Sequence, residues 1–331
     1  MLDIIIPQYS EDNNMIKPLL DSIKNQIDID FSLINITIVN DYSNTLLDLD
    51  FLDSYNLGIK YYRNERNTGP GLARQYGILN TNDKFIMFID ADDRLYSNKS
   101  LYYVIDFIKK NNPDYVIGNI AVEDIINGKE SVVIRKGRDT FPWMHSKIYK
   151  REFLVKNDII FHPNIRYVED QYFTTSVLGF IREKDLLFLD KEIVLWKRNT
   201  NSLTRKKTKY HYLISIFDDF FNAPLYTYEF LKSHNCYLKY SYIINATFGI
   251  YIILNSSVFE SQELNDMKEE YEEKFLSYIK LTRNLFIIAN KNDLEKMFNE
   301  ELNQLVIRND IKNVSCNFTS FLSEYITKKA S

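Results

Sequence analysis

A cluster of acidic residues, Asp90-Ala91-Asp92-Asp93, directly follows the fully apolar segment 85–89. Such a segment predicts a buried strand, and in extended chain the side chains of residues two apart lie on one face. Asp90 and Asp92 can therefore address the same ligand. Carboxylate pairs suit Mg²⁺ or Mn²⁺, which commonly take their remaining ligands from water and phosphate oxygens. The cluster predicts a divalent-cation site beside a phosphorylated ligand, although without further context a polar loop that caps a helix explains it equally well.

Short apolar segments alternate with helical patterns in the first third of the chain, and this alternation predicts an α/β fold with a mostly parallel central sheet. The predicted strands are 2–6, 34–39, 58–62 and 85–89. In such sheets ligands bind beyond the carboxyl ends of the strands, so the residues after each strand are expected to meet at one edge. These residues are Pro7-Gln8-Tyr9, Asn40-Asp41 and the acidic cluster.

The alternation ends near residue 205, and the rest of the chain has long helical patterns rich in Tyr and Phe. We therefore predict two domains, residues 1–205 with the sheet and residues 206–331 as a helical C-terminal region. The basic run Arg205-Lys206-Lys207 at the boundary is interpreted as a solvated linker, with an interdomain hinge or a phosphate contact as alternatives. The aromatic residues of the helical region are expected to form its core, and stacking on sugar rings is the alternative.

Composition restricts the class of partner and the compartment. A net charge of −4 and a pI near 5.7 argue against stable binding to nucleic acid, a local basic groove excepted. Cys236 and Cys316 lack metal-ligand spacing and are expected to be free thiols. The first residues carry no basic segment ahead of an apolar one, and the apolar run 243–254 is short and interrupted. We expect a cytoplasmic protein, with peripheral association at the inner face of the membrane as a further expectation.

Five segments, in the expected order, resemble the inverting family 2 glycosyltransferases with the GT-A fold. They are the opening strand with its Pro7-Gln8-Tyr9 turn, the strand that ends in Asn40-Asp41, the segment from Asn67 and Gly69 to Ala73-Arg74-Gln75, the acidic cluster, and the pair Glu169-Asp170. Two positions depart from the family pattern. Asn40 stands where the family usually has Asp, and Gln75 stands where it usually has Asn.

The resemblance implies a UDP-sugar donor, a Mn²⁺ or Mg²⁺ cofactor and a role for each matching residue. Asp41 would grip the nucleobase, and Asp170 would be the catalytic base. Asp92 and Asp90 would hold the metal ion, with His145 as a further candidate ligand. The nucleotide-sugar site would comprise Pro7, Gln8, Tyr9, Asp41, Asn67, Arg74, Asp90, Ala91 and Asp92.

Each of these roles has an alternative that the residues alone leave open. Asp41 could cap a turn, and Arg74 could lie on an exposed helix face rather than contact a diphosphate. Spacing alone does not separate Glu169 from Asp170 as the base. His145 and His162 could bind a metal ion or the leaving group, but lone histidines are more often structural.

The resemblance implies transfer of a sugar to a hydroxyl of a cell-surface glycopolymer. Segments 143–154, 167–173 and 200–205, the last preceded by Trp196 and Arg198, are similar to bacterial surface-polysaccharide and wall teichoic acid glycosyltransferases. The helical region would then bind the acceptor or form a homo-oligomer. UDP-glucose, UDP-galactose and UDP-GlcNAc remain open as donors.

Three other functions compete with this one. A nucleotidyltransferase would have a glycine-rich basic loop after the first strand, whereas segment 8–12 is acidic and lacks glycine. A catalytically silent nucleotide-sugar-binding protein would be expected to lose Asp92 or Asp170, and neither is lost. A viral enzyme that modifies a hydroxymethylated DNA base is mildly disfavoured by the net acidity.

Overall fold

The computed structural model describes residues 1–126, 129–141, 143–197, 209–236, 240–260, 262–309 and 314–327. The chain divides into two compact units, Met1–Thr200 and Asn201–Ser331. The predicted linker at 205–207, the 200–205 segment and Arg198 lie outside the described residues.

The described strands of the first unit form one sheet. They are β1 Leu2–Gln8, β2 Ile34–Asn40, β3 Ile59–Arg63, β4 Phe85–Phe88, β5 Arg94–Leu95, β6 Tyr115–Ile126, β7 Lys129–Arg135, β8 Lys147–Lys150 and β9 Leu187–Trp196. Their order is β3-β2-β1-β4-β8-β6-β9-β5, with β7 paired to β6. The four predicted strands are present and run parallel to one another.

Beyond β4 the sheet is mixed. The strand β8 runs antiparallel to β4 and to β6, β9 runs parallel to β6, and β5 runs antiparallel to β9. The strands β6 and β7 also pair antiparallel, because a short hairpin connection cannot return a chain in the parallel direction. The parallel arrangement predicted from the first third of the chain therefore holds for one half of the sheet.

Helices lie on both faces of the sheet. They are α1 Asn13–Lys24, α2 Leu49–Asp53, α3 Pro70–Asn80, α4 Ser100–Asn111, α5 Arg151–Lys156 and α6 Glu169–Gly179, with short 3₁₀ turns at Phe31–Leu33, Gly137–Thr140 and Glu183–Asp185. Asp12 caps the N-terminus of α1, and its side chain accepts from the backbone N–H of Asn14 and of Met15. The helix α3 begins with Pro70 after Gly69, whose φ of +86° favours glycine.

The strand β1 lies between two of these helices. Ile4 and Ile6 belong to a buried aliphatic cluster with Leu19 and Leu20 of α1. On the opposite face, Gly77 of α3 lies so close to Ile5 that an added Cβ would come within 2.4 Å of its Cγ2. This close contact fixes α3 on the sheet, and the turn that precedes α3 borders the candidate site.

The second unit is helical. Its helices are α7 Lys209–Ser233, α8 Tyr240–Leu254, α9 Gln262–Ile288, α10 Lys291–Asn309 and α11 Phe318–Phe321, with a 3₁₀ turn at Ser257–Glu260 and a π-helical turn at Leu322–Thr327. Its core is rich in aromatic residues, and Phe248 lies near four other rings. Among the described residues, no helix has both the length and the apolar content that crossing a bilayer requires.

Candidate active site

The strand ends meet at one edge of the sheet, as predicted. The register pairs Gln8 of β1 with Asn40 of β2, and Asn40 with Arg63 of β3. The buried Asn40 donates through Nδ2 to Gln8 Oε1 at 2.6 Å, and Gln8 donates to the carbonyl oxygens of Glu11 (2.7 Å) and Thr45 (3.0 Å). In this arrangement Asn40, which stands where the family usually has Asp, is the donor that Gln8 Oε1 accepts from. In this structure Gln8 braces the loops around the site.

Asp41 is the centre of a hydrogen-bonded turn. Its Oδ1 accepts from the backbone N–H and the hydroxyl of Thr68 (2.9 and 2.8 Å) and from Asn64 Nδ2 (2.9 Å), and its Oδ2 accepts from the backbone N–H of Gly69 (2.7 Å). The backbone carbonyl of Asp41 also accepts from Asn67 Nδ2 (3.3 Å). The turn-capping role is thus observed, and the nucleobase contact stays a prediction.

Two aromatic side chains at this edge are accessible. Tyr9 is 53% exposed after β1, and Tyr42 is 49% exposed after β2. Tyr42 has a φ of +59°, an uncommon conformation for a bulky residue, and the Arg63 guanidinium lies 4.9 Å from its ring centroid. Tyr42 was not among the predicted site residues. Its only signal in the sequence is its place directly after Asp41.

Arg74 is buried, contrary to the exposed-face alternative. It is 4% exposed, and its guanidinium joins two carboxylates. NH2 lies 2.6 Å from Asp90 Oδ1, and NH1 lies 2.9 Å from Glu169 Oε1. Its predicted contact with a diphosphate stays a prediction. Asn67, the other predicted residue in this region, accepts from Arg166 NH2 at 2.7 Å.

The acidic cluster folds as a turn in which the backbone N–H of Asp93 donates to the carbonyl of Asp90 (3.0 Å). Asp90 and Asp92 are therefore not in extended chain, and the shared face predicted for them is wrong at this point. Asp90, Asp93 and His145 instead each place one ligand atom within 4.8 Å of the others. The half-buried Asp92 is outside this group, and its metal role stays a prediction. Asp93 belongs to the acidic cluster, but its position beside His145 follows only from the geometry of the turn.

Asp93 and His145 form a buried pair, with 3.0 Å between His145 Nε2 and Asp93 Oδ2. Burial raises the pKa of Asp93 to about 6, although the imidazole opposes this. Burial also lowers the pKa of His145, but the hydrogen bond and the charges of Asp93 and Asp90 outweigh it, so the net shift is upward. The His145 ring stacks on Trp196 with 5.2 Å between centroids. Its Nδ1 is buried, and the described residues offer it no hydrogen-bond partner.

This donor set fits a divalent cation. It supplies carboxylate oxygens and one imidazole, and the arrangement is largely buried. Carboxylates suit Mg²⁺ and Mn²⁺, whereas imidazole suits the transition metals. The three residues come from the turn after β4 and from the segment before β8. Tertiary structure brings these segments together.

Glu169 and Asp170 occupy the first turn of α6, where the helix dipole favours negative charge. Glu169 is 6% exposed and bonded to Arg74. Burial and the neighbouring charge of Asp170 raise the pKa of Glu169 to about 7, although Arg74 opposes this. Burial also raises the pKa of Asp170, and a raised pKa makes a carboxylate a better base. The half-buried Asp170 accepts from the backbone N–H of Gln171 (2.8 Å).

Lys147 is a fully buried cation that sequence analysis did not identify. Its ammonium donates to the carbonyl oxygens of Thr140 (2.5 Å) and Trp143, and so fixes the segment that leads to His145. Burial lowers its pKa to about 7, while Asp170 opposes this shift. A lysine at the start of this short strand gives no sequence signal of this role.

Comparison with known proteins gives relatives with similar sequences and structures. The poly(ribitol-phosphate) beta-glucosyltransferase of Bacillus spizizenii is 30% identical over 53% of this chain and 29% of its own length. The poly(ribitol-phosphate) beta-N-acetylglucosaminyltransferase TarP of Staphylococcus aureus is 24% identical over 54% of this chain and 57% of its own length. The chain thus covers less than two thirds of either relative.

The structures of S. aureus TarS 1–349, alone and with UDP-GlcNAc, match with a TM-score of 0.61 and 18% and 19% identity. The matches cover 91% of this chain and 87% and 88% of those chains. This likeness confirms the predicted GT-A-like α/β fold with a helical C-terminal region. Residues 3–168, half of the chain, match the model of glycosyl transferase family 2, so the chain belongs to that family.

Proposed function

We propose that the chain is an inverting, metal-dependent glycosyltransferase that moves a sugar from a UDP-sugar to a hydroxyl of a cell-surface glycopolymer. One observation carries the proposal. The Asp90 turn and the first turn of α6 meet through Arg74, so a cation site and a candidate base belong to one site. The relatives named for poly(ribitol-phosphate) glycosyl transfer support a polyol-phosphate acceptor, and the structural neighbour with bound UDP-GlcNAc supports a UDP-sugar donor.

Asp170 is the proposed base. Its carboxylate accepts the proton of the acceptor hydroxyl while that oxygen attacks the anomeric carbon from the face opposite UDP. The bond between the anomeric carbon and the diphosphate oxygen breaks, and UDP leaves with the electron pair. A positioned base typically contributes ~10²- to 10⁴-fold to such a step. We assign this role to Asp170 because Glu169 is already engaged by Arg74.

Asp90, Asp93 and His145 are the proposed residues that hold the cation. A Mn²⁺ or Mg²⁺ ion held by these residues would neutralise the charge that grows on the departing diphosphate. The imidazole favours Mn²⁺ over Mg²⁺. Asp92, next to these residues, is kept as a candidate ligand. The proposed position of the cation is the turn that follows β4.

The remaining predicted contacts form the proposed donor site. Tyr9 is accessible for stacking on the nucleobase of the donor. Asp41 orders the turn on which Asn67 lies. Pro7 and Gln8 shape the end of β1, and Ala91 lies in the cation-site turn. We also propose that the helical unit binds the acceptor or forms a homo-oligomer, and that the protein acts at the cytoplasmic face of the membrane.

UDP release from UDP-glucose, UDP-galactose and UDP-GlcNAc tests this function, with and without Mn²⁺, for the wild type and for Asp170→Asn and Asp92→Ala. We expect metal-dependent release from one donor and a loss of ~10²- to 10⁴-fold in Asp170→Asn. Asp106→Asn is the control, because it removes a carboxylate of α4 that lies outside the site. An undiminished rate in Asp170→Asn would exclude it as the base, and metal-dependent UDP binding without release would favour a binding role.

A further inference from the structure

One guanidinium is shared between the two acidic elements of the site. The two terminal nitrogens of Arg74 donate in different directions, NH2 to Asp90 Oδ1 (2.6 Å) and NH1 to Glu169 Oε1 (2.9 Å). Both of these contacts are ion pairs, and the guanidinium is almost completely shielded from water. Removal of one carboxylate therefore changes the charge that the other one experiences.

The contact of Arg74 with Asp90 determines how that carboxylate is oriented. Oδ1 is directed to Arg74, and the second oxygen, Oδ2, lies 3.7 Å from His145 Nε2. Oδ2 is thus the oxygen directed toward the cation-binding group. A rotation of the Asp90 carboxylate that brought both oxygens to the guanidinium would remove Oδ2 from this group, because planar guanidinium groups bind carboxylates readily in bidentate geometry.

The position of Glu169 is fixed by close packing. Gly71, on the first turn of α3, leaves no room for a side chain, since an added Cβ would lie 2.8 Å from Glu169 Cγ and 3.2 Å from Phe161 Cδ1. The first turn of α3 therefore lies in close contact with the glutamate that binds Arg74. The chain is built so that Glu169 reaches one terminal nitrogen of the guanidinium.

We infer that Glu169 is a positioning residue for the cation site: by holding NH1 of Arg74, it keeps NH2 on Asp90 Oδ1 and leaves Asp90 Oδ2 for the metal ion. The inference rests on the cation site of the proposed function. Glu169 is not among the proposed cation ligands, and its carboxylate is bonded to Arg74. Without its negative charge, Arg74 would pair with Asp90 alone and would compete with the cation for that carboxylate.

Mn²⁺ binding to the full chain tests the inference directly, by titration calorimetry at about pH 8, above the pKa of Glu169. We expect Glu169→Gln to bind Mn²⁺ about tenfold more weakly than the wild type, the lower end of the range for partners that orient metal ligands. Gly71→Ala, which keeps the charge but displaces Glu169, should weaken binding in the same direction. Glu152→Gln, which removes an exposed glutamate from the first turn of α5, is the matched control and should bind as the wild type does.

A second readout separates positioning from catalysis. If Glu169 acts through Asp90, saturating Mn²⁺ restores UDP release by Glu169→Gln to within about threefold of the wild-type rate, whereas Asp170→Asn is not rescued. Unchanged Mn²⁺ affinity in Glu169→Gln, an unrescued rate, or absence of Mn²⁺ binding to the wild type would each overturn the inference.

Two further outcomes are also decisive. If the wild type binds Mn²⁺ but releases UDP from no donor, the proposed transfer reaction fails, and the Mn²⁺ affinities still decide the role of Glu169. If Glu169→Gln does not fold, as judged by thermal denaturation, Glu169→Asp is titrated instead. Its shorter side chain cannot keep the 2.9 Å contact in place, so wild-type Mn²⁺ affinity in that variant would overturn the inference.

Discussion

The two units bury polar side chains in different ways. In the first unit, buried charged groups join residues far apart in the chain, as Arg74 does with Glu169 and Asp93 does with His145. In the second unit, three buried threonine hydroxyls donate within their own helix. Each donates to the carbonyl four residues earlier, namely Thr227 to Ala223 (2.7 Å), Thr247 to Ile243 (2.6 Å) and Thr282 to Tyr278 (3.0 Å).

This difference is the one expected between groups proposed to serve chemistry and groups that only fit a core. Burying a charge carries a large desolvation cost, and the hydrogen bonds that offset it must have good geometry. A threonine hydroxyl bonded to its own helix carries no such cost and needs no partner from another element. The long-range charged network therefore supports the site proposed in the first unit, and the aromatic core of the second unit is consistent with the structural or binding role proposed for it.

The largest effect that this comparison predicts is on the cation site. Asp90→Asn, or removal of divalent ions with EDTA, should reduce UDP release by at least about 100-fold, because stabilisation of charge by a metal ion is worth several kcal/mol. Asp219→Asn removes a buried aspartate of the second unit and should leave donor hydrolysis unchanged. Equal losses of UDP release in Asp90→Asn and Asp219→Asn would contradict the difference between the two units.

A core truncation tests the second unit by stability. Phe248 is fully buried, with ring centroids of Phe298 and Phe321 both at 5.2 Å. Phe248→Ala should lower the free energy of unfolding by about 3–5 kcal/mol, measured by denaturant titration. UDP affinity, measured by calorimetry where the variant is folded, should stay at the wild-type value. A large loss of UDP affinity in the folded variant would contradict a purely structural role for this core.

A smaller loss is expected at the Asp41 turn. Asp41→Asn replaces the carboxylate that accepts hydrogen bonds from Thr68, Asn64 and Gly69. The new side chain directs an amide N–H toward one of these donors. We expect a loss of about 1.5–3 kcal/mol in the free energy of unfolding, the range for hydrogen bonds to charged groups. The matched change Asp48→Asn should be almost neutral, because Asn and Asp cap helices equally well. Equal effects at the two sites would contradict the special role of Asp41.

The smallest effect is predicted for a locally satisfied hydroxyl. Thr227→Val keeps the shape of the side chain and removes one hydrogen bond to the carbonyl of Ala223. Thermal denaturation should show a loss of only about 1 kcal/mol, because that carbonyl remains in the helical hydrogen-bond pattern. A loss as large as that of Phe248→Ala would show that the second unit also depends on its buried polar groups.

The first four strands were predictable because short apolar runs alternate with helical patterns, and a parallel sheet follows from that alternation. The later strands were not predictable from this alternation. The strand β6 pairs with β8 through Tyr115 and Tyr149, and with β9 through Ile120 and Val194. Such pairings depend on register between segments that are distant in the chain, which local periodicity does not specify.

The sequence by itself determined which residue types gather at the strand ends, because the motifs with Asp41, Asp90 and Asp170 each lie at the end or the start of an element. Tertiary structure decided how they are used. It turned the acidic cluster so that Asp93, rather than Asp92, meets His145, and it buried Arg74 between carboxylates 16 and 95 residues away. Burial and charge pairing are properties of the assembled site, since they depend on which distant groups exclude water from one another.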